Sequence, residues 1–253
     1  MIIEKTISEP ITYEIPPDGN KTPIIDPYDG CQFNCPYCFQ LNDETWNKNI
    51  YAHINIDELL KDRLDSWDKT NTIYLGSRCD PYMKLEEKYC LTRKCLLILD
   101  ELQINTMITT KSDNNLIIRD IDILKSFHAE ITVLMGITNI NQIKKGVQNN
   151  NIITANKLYD NGITVWGFIT PVLPYIMDIE SIISAINPNI PIFLDKLRFT
   201  GNTIQAKNMT KFIEQQYPEY TGDYYKIINE NDENYYDELI NRYSNSNRIK
   251  ILF

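Results

Sequence analysis

The stretch Asp26-Pro27-Tyr28-Asp29-Gly30-Cys31-Gln32-Phe33-Asn34-Cys35-Pro36-Tyr37-Cys38-Phe39-Gln40 sets three cysteines on one short loop, spaced Cys-x3-Cys-x2-Cys. Three thiolates so placed can hold three irons of a four-iron cluster and leave the fourth iron without a protein ligand, open to chemistry. A structural zinc site needs four ligands. Besides these three, the chain offers His53, His128, Cys79, Cys90 and Cys95, and none of the five forms a second tight pair with metal-finger spacing. A zinc knuckle completed by one distant ligand stays open as the alternative. Six cysteines in 253 residues are too sparse for a disulfide framework. The start, Met1-Ile2-Ile3-Glu4-Lys5, carries an acid where a secretory signal would carry positive charge and then an apolar run. A reducing, cytoplasmic compartment is expected.

Working outward from the loop, short apolar runs alternate with amphipathic ones. Strands are expected over 22–25, 72–75, 104–109, 131–136, 163–169 and 192–199. They are β-branched and nearly continuous in apolar character, as strands buried on both faces are. Helices are expected over 56–64, 91–102, 116–127 (with Asp113 and Asn114 as caps), 141–160 and 179–186, with Asn161-Gly162 as a C-terminal stop. Six strands alternating with helices predict an α/β fold with a parallel sheet. Six such units suit a partial (βα)6 TIM-like barrel better than a dinucleotide-binding sheet, because no G-x-G-x-x-G follows the first strand. In βα barrels the chemistry sits at the C-terminal ends of the strands, where the three cysteines fall. One domain over 1–253 is expected: an N-terminal arm over the first 22 residues, a barrel core over about 22–200 and a C-terminal helical extension over 201–253.

With 43% hydrophobic residues the chain can build a sizeable core. No stretch reaches the ~20 apolar residues of a membrane span, so no membrane partner is expected. The net charge of −9 speaks against a nucleic-acid partner, whose affinity rests on clustered Lys and Arg.

The cysteine loop after the first strand, with an aromatic Tyr37 before the last cysteine, resembles the radical S-adenosylmethionine superfamily. The longer stretch from Asp26 to Gln40 resembles its spore photoproduct lyase-like branch. So do Gly76-Ser77-Arg78-Cys79-Asp80-Pro81-Tyr82 with Glu86 and Leu91-Thr92-Arg93-Lys94, and Thr110-Lys111-Ser112-Asp113. The resemblance runs over about 26–199. It implies a [4Fe-4S] cluster on Cys31, Cys35 and Cys38, with S-adenosylmethionine chelated at the open iron. One electron would cleave the sulfonium and yield a 5′-deoxyadenosyl radical that abstracts hydrogen from the substrate. It further implies Lys111 as partner of the methionine carboxylate, Ser77 and its backbone for the amino group, Thr138 for the ribose and carboxylate, and Tyr37 for the adenine. Plainer roles stay open for each: a solvated lysine, a loop threonine, an aromatic that only packs the loop. Cys79 is a candidate hydrogen donor to a product radical, a ligand to a substrate-bound species, or a small buried side chain. Alignment on the following aspartate puts Ser77, not Cys79, at the branch's donor cysteine. Cys90 and Cys95 are expected in the core.

Two departures bear on the substrate. Phe39 stands where the lyase has tyrosine, and the chain is acidic, which turns the reading away from nucleic-acid repair. No second cysteine-rich region provides for another cluster. The reading is therefore an enzyme that modifies a peptide or protein, such as a natural-product precursor, with carbon–carbon bond cleavage as one outcome. No recognition domain for a leader peptide is evident, so a small accessory protein is expected to supply one, and a flavodoxin or ferredoxin to supply electrons. The alternatives are a nucleic-acid lesion repair lyase and a non-catalytic zinc- or cluster-stabilised interaction protein.

Overall fold

The computed structural model describes residues 1–14, 21–138, 150–199 and 202–253. The strands are β1 (Ile2–Lys5), β2 (Thr12–Glu14), β3 (Thr22–Ile25), β4 (Tyr28–Asp29), β5 (Ile50–His53), β6 (Ile73–Leu75), β7 (Thr106–Thr110), β8 (Ile131–Gly136), β9 (Thr164–Ile169), β10 (Ile192–Leu194) and β11 (Ile249–Ile251). Eight of them form one sheet in the order β11-β10-β9-β8-β7-β6-β3-β2. Every neighbouring pair from β3 to β11 is parallel, and β2 is antiparallel to β3 at one edge. The order follows the chain without the reversal that marks a doubly wound sheet. All six expected strands are present. Their apolar runs pack against one core in which Ile24, Ile25, Ile73, Leu75, Ile108, Val133, Ile169 and Leu194 are fully buried.

Three features depart from the expected arrangement. The N-terminal arm is not merely extended: β1 pairs with β5 in register Ile2↔Ile50, β4 joins β5 from the other side, and β2 extends the main sheet. The run at 249–253 forms β11 and closes the other edge against β10. The expected helix over 116–127 is two helices, Leu116–Arg119 and Ile121–Ser126. The break falls at Asp120, fully buried, whose carboxylate accepts from Arg93 and Arg119. Asn114 accepts the Leu116 N–H at 2.9 Å, but the N-cap of the first piece is Asn115, whose side chain makes no capping bond.

The remaining helices follow their apolar spacing. Ile56–Leu64 buries Ile56, Leu60 and Leu64, one residue per turn and a bit. Leu91–Glu101 buries Leu91, Cys95, Leu96, Ile98 and Leu99. Of the helix expected over 141–160, residues 141–149 lie outside the described residues and Asn150–Asp160 is helical. It stops at Asn161-Gly162, where the Gly162 and Ile163 N–H groups donate to Tyr159 and Leu158 carbonyls at 2.8 and 3.2 Å, the pairing of a Schellman cap. Asp178 caps Ile179–Ala185 through the Ser181 N–H. Helices Ile204–Gln216, Thr221–Asn229 and Asn234–Tyr243 then pack on the loops that follow β9 and β10. Among the described residues no helix is long and apolar enough to cross a membrane.

Candidate active site

Because the strands run parallel, the segments after β3, β6, β7, β8, β9 and β10 emerge at one end of the sheet. A cavity of about 700 Å³ opens there, lined by Cys31, Cys35 and Cys38 after β3, Gly76 to Asp80 after β6, Thr109 and Thr110 on β7 with Lys111 after it, Gly136 on β8, Phe168 on β9 with Thr170 and Pro171 after it, and Asp195 to Arg198 after β10. Its size is that of a small-molecule site.

The cysteine loop is held by tight backbone geometry. Gly30 has φ +93°, and a Cβ there would stand 2.6 Å from the Asn49 carbonyl oxygen and 2.7 Å from that of Trp46, so only glycine fits. The Cys38 N–H donates to the Cys35 carbonyl at 2.9 Å, closing a turn between the two. Gln205, from the C-terminal helix Ile204–Gln216, donates through Nε2 to the Tyr37 carbonyl at 2.6 Å, and its own N–H donates to Asn42 at 3.0 Å. Nothing in the sequence spacing marked Gln205, because it reaches the loop from 168 residues away.

All three thiols face the cavity, each half-buried. Burial pushes the Cys31 thiol up to about 12, with Asp80 adding to it, and burial also raises Cys38. Those two thiols are therefore protonated as they stand, and loading metal must displace their protons. Among the described residues no group of three or more His, Cys, Asp and Glu side chains is drawn into a cage for a single metal ion. Cys31, Cys35 and Cys38 all line the one cavity, and three thiolates are the donor set that a four-iron cluster with one open iron takes.

Lys111 follows β7 and its Nζ stands 5.0 Å from the Tyr37 ring centroid and 3.4 Å from the Tyr37 hydroxyl. Tyr37 donates to the Thr138 carbonyl at 2.6 Å. Gly136 lets Lys111 approach: a Cβ there would stand 2.8 Å from the Lys111 Cβ. Ser77 lines the cavity and donates to Glu14 at 3.2 Å. Thr138 differs from the sequence expectation. It is fully buried, does not line the cavity, and its hydroxyl donates to the Pro171 carbonyl at 2.7 Å. Its carbonyl, rather than its hydroxyl, reaches another site residue.

Cys79 lines the cavity yet is 4% exposed. Its thiol donates to the Tyr28 carbonyl at 2.8 Å and stands 3.8 Å from Asp26 Oδ1. Burial, reinforced by the Asp26 charge, holds it well above the usual thiol range. Cys95 is fully buried, while Cys90 is half-buried beside the Arg119 guanidinium at 3.7 Å.

Asp80 explains the Asp-Pro-Tyr motif. It accepts from the Tyr82 N–H at 2.9 Å, the Thr110 hydroxyl at 2.8 Å and the Lys111 N–H at 2.7 Å. One buried carboxyl thus ties the loop after β6 to the end of β7 and fixes the backbone that carries Lys111.

No family model matches the chain. It is 32% identical over 234 residues to the uncharacterized protein MJ0683 of Methanocaldococcus jannaschii, covering 86% of this chain and 84% of that one. Among solved structures, spore photoproduct lyase complexed with dinucleoside spore photoproduct superposes with a TM-score of 0.54 at 12% identity, over 86% of this chain and 66% of the lyase chain. SuiB of Streptococcus suis bound to S-adenosylmethionine superposes with a TM-score of 0.50 at 15% identity, over 91% of this chain and 50% of SuiB. The chain thus spans about two thirds of the lyase and half of SuiB. It belongs to the family of the Methanocaldococcus jannaschii protein, and its fold is that shared by spore photoproduct lyase and SuiB.

Proposed function

We propose that this chain is a radical S-adenosylmethionine enzyme whose sheet curves into a partial (βα)6 barrel and whose substrate is a peptide or protein. The observation that carries the reading is the convergence of Cys31, Cys35, Cys38, Tyr37, Lys111, Ser77 and Cys79 on one cavity at the C-terminal ends of the parallel strands. A [4Fe-4S] cluster with S-adenosylmethionine, when bound, would supply hydrogen abstraction by a 5′-deoxyadenosyl radical formed on one-electron cleavage of the sulfonium. Cys31, Cys35 and Cys38 would hold the cluster once deprotonated. Lys111, fixed from behind by Asp80 and steered by the Tyr37 ring, would meet the methionine carboxylate. Ser77 and the adjacent backbone would accept from the amino group. Tyr37, anchored at both its hydroxyl and its carbonyl, would offer its ring to the adenine. Cys79, kept as a neutral thiol by burial, is suited to give a hydrogen atom rather than to act as a thiolate.

A second reading, repair of a nucleic-acid lesion, is favoured by one observation. Arg78, Lys111, Lys196 and Arg198 all line the cavity of an otherwise acidic chain. Two of the four are spent on partners: Arg198 pairs with Asp195 and Lys196 with Glu233. The peptide reading therefore leads.

Anaerobic reconstitution with iron and sulfide should give about four irons per chain and a broad band near ~400 nm. With dithionite and S-adenosylmethionine the protein should form 5′-deoxyadenosine, and Cys31→Ala should form none. Tight binding of one zinc without a cluster would overturn the reading. Salt-sensitive binding of DNA would move the substrate to the second reading.

A further inference from the structure

Beyond the cavity mouth, the loop after β9 turns sharply. The Ile176 N–H donates to the Pro174 carbonyl at 2.7 Å, closing a three-residue γ-turn around Tyr175. Tyr175 has φ +63°, a left-handed conformation rare for a bulky residue. The turn is held in place from the C-terminal helices: the Tyr224 hydroxyl donates to the Pro174 carbonyl at 3.1 Å. This strained backbone does not bury its side chain. Tyr175 is 46% exposed. Strain of this kind persists where the surroundings enforce it, and it is found at binding sites.

The exposed ring is the centre of an aromatic cluster. It stacks with Tyr220 at 5.8 Å between centroids and meets Tyr235 edge-on at 5.2 Å. Both partners are half-buried. Carboxylate charges act on two of the three rings, Tyr175 and Tyr235. The Tyr175 phenol is pushed up by partial burial and then by the charges of Asp223, Asp232 and Glu238. Arg242, on the helix that carries Tyr235, is paired with Glu180 at 3.0 Å. Tyr175 stands in the loop that follows β9, at the end of the sheet where the cavity opens. Pro171 lines the cavity four residues before Tyr175, and Lys196, on the cavity wall, pairs with Glu233 two residues before Tyr235.

Tyrosine faces and carboxylates attract the same kind of group, an ammonium or guanidinium. We infer that Tyr175, Tyr220 and Tyr235, with Asp223, Asp232 and Glu238, form a docking shelf beside the cavity mouth for a lysine- or arginine-bearing segment of the peptide substrate. The inference rests on the peptide reading above and adds to it a recognition surface within this chain, where a separate recognition protein was expected. The shelf also opposes the alternative: its carboxylates repel a phosphate backbone.

The test is fluorescence anisotropy with the full chain and two labelled hexapeptides, one alternating glycine and lysine, the other alternating glycine and glutamate. The lysine peptide should bind, and the glutamate peptide should not. Tyr175→Asn, which suits a left-handed backbone and leaves the net charge unchanged, should weaken the lysine peptide about fivefold, the loss of one cation–π contact. Tyr175→Phe, which keeps the ring, should bind as the unaltered protein does, and Asp223→Asn combined with Asp232→Asn should weaken binding. No binding of the lysine peptide, equal binding by Tyr175→Asn, or equal binding of both peptides would overturn the shelf. The measurement needs neither cluster nor S-adenosylmethionine. Peptide binding without 5′-deoxyadenosine formation therefore removes the proposed chemistry and keeps the shelf. Formation of 5′-deoxyadenosine without peptide binding does the reverse.

Discussion

Asp26 shows how one residue couples the reactive end of the sheet to its surroundings. It follows β3 directly, its Oδ1 accepts the Arg78 N–H at 3.3 Å, and the Cys79 sulfur stands 3.8 Å away. Burial pushes its carboxyl up from 3.8 to about 7. The folded chain thus keeps a proton that the unfolded chain releases near its ordinary pKa. Folding stability contributed by that proton is full below pH 3.8 and is lost as pH rises towards 7. Asp26→Asn, which keeps an acceptor and carries no charge, should gain stability relative to the unaltered protein across that window, by at most about 4 kcal/mol for three pKa units. Urea unfolding at a series of pH values from 4.5 to 8 measures it, and a pH-independent difference would refute the assignment. Cys79 depends on the same carboxyl for part of its high pKa, so the Cys79 thiol and the segment that follows β3 are electrostatically linked.

At the scale of elements, the motifs that carry the sequence resemblance are mostly structural. Glu86, fully buried, accepts from the Tyr28 hydroxyl, from the Thr92 N–H at 3.0 Å, from the Arg93 N–H at 3.2 Å and from Arg119 at 2.9 Å. Arg93 and Arg119 both reach Asp120, which also accepts from the Tyr82 hydroxyl at 3.2 Å. This network welds the loop after β6, the helix Leu91–Glu101 and the broken helix at Asp120 into one unit. It also explains why a clean amphipathic repeat over 116–127 does not make one helix: satisfying a buried carboxylate outweighs one turn of helix hydrogen bonds. Glu86→Ala should cost about 3–5 kcal/mol, because it leaves buried donors and a guanidinium uncompensated. Chemical denaturation measures this, and a loss below ~1 kcal/mol would show that the network is not a unit.

At the scale of the whole molecule, both edges of the large sheet are formed by strands outside the six expected ones. β2, from the N-terminal arm, covers β3, and β11 covers β10 in register Ile192↔Ile249. Behind β11, Phe253 meets Tyr236 edge-on at 5.3 Å. An uncovered strand edge is a template for pairing with another chain. Ending the chain at Arg248 should lower stability by about 2 kcal/mol from the lost burial of Ile249 alone and promote self-association. Light scattering against the full chain checks this, and a monomer of unchanged stability would contradict it. The C-terminal helices do more than decorate the core. Through Gln205, Tyr224 and Tyr236 they grip the cysteine loop and the loops after β9 and β10.

The local pattern by itself determined the six parallel strands, the stop at Asn161-Gly162 and the position of the three cysteines after the first strand. These depend on side-chain periodicity and turn chemistry over a few residues, and such signals are complete within a short window. Only the tertiary structure decided which distant groups meet. It turned the Thr138 hydroxyl away to Pro171, set Gln205 on the Tyr37 carbonyl, used Asp80 to fix Lys111, and brought three tyrosines from separate segments together. Those contacts join residues tens to more than a hundred positions apart. They are selected by burial and by the need to satisfy every buried polar group, and neither condition can be read from neighbouring letters.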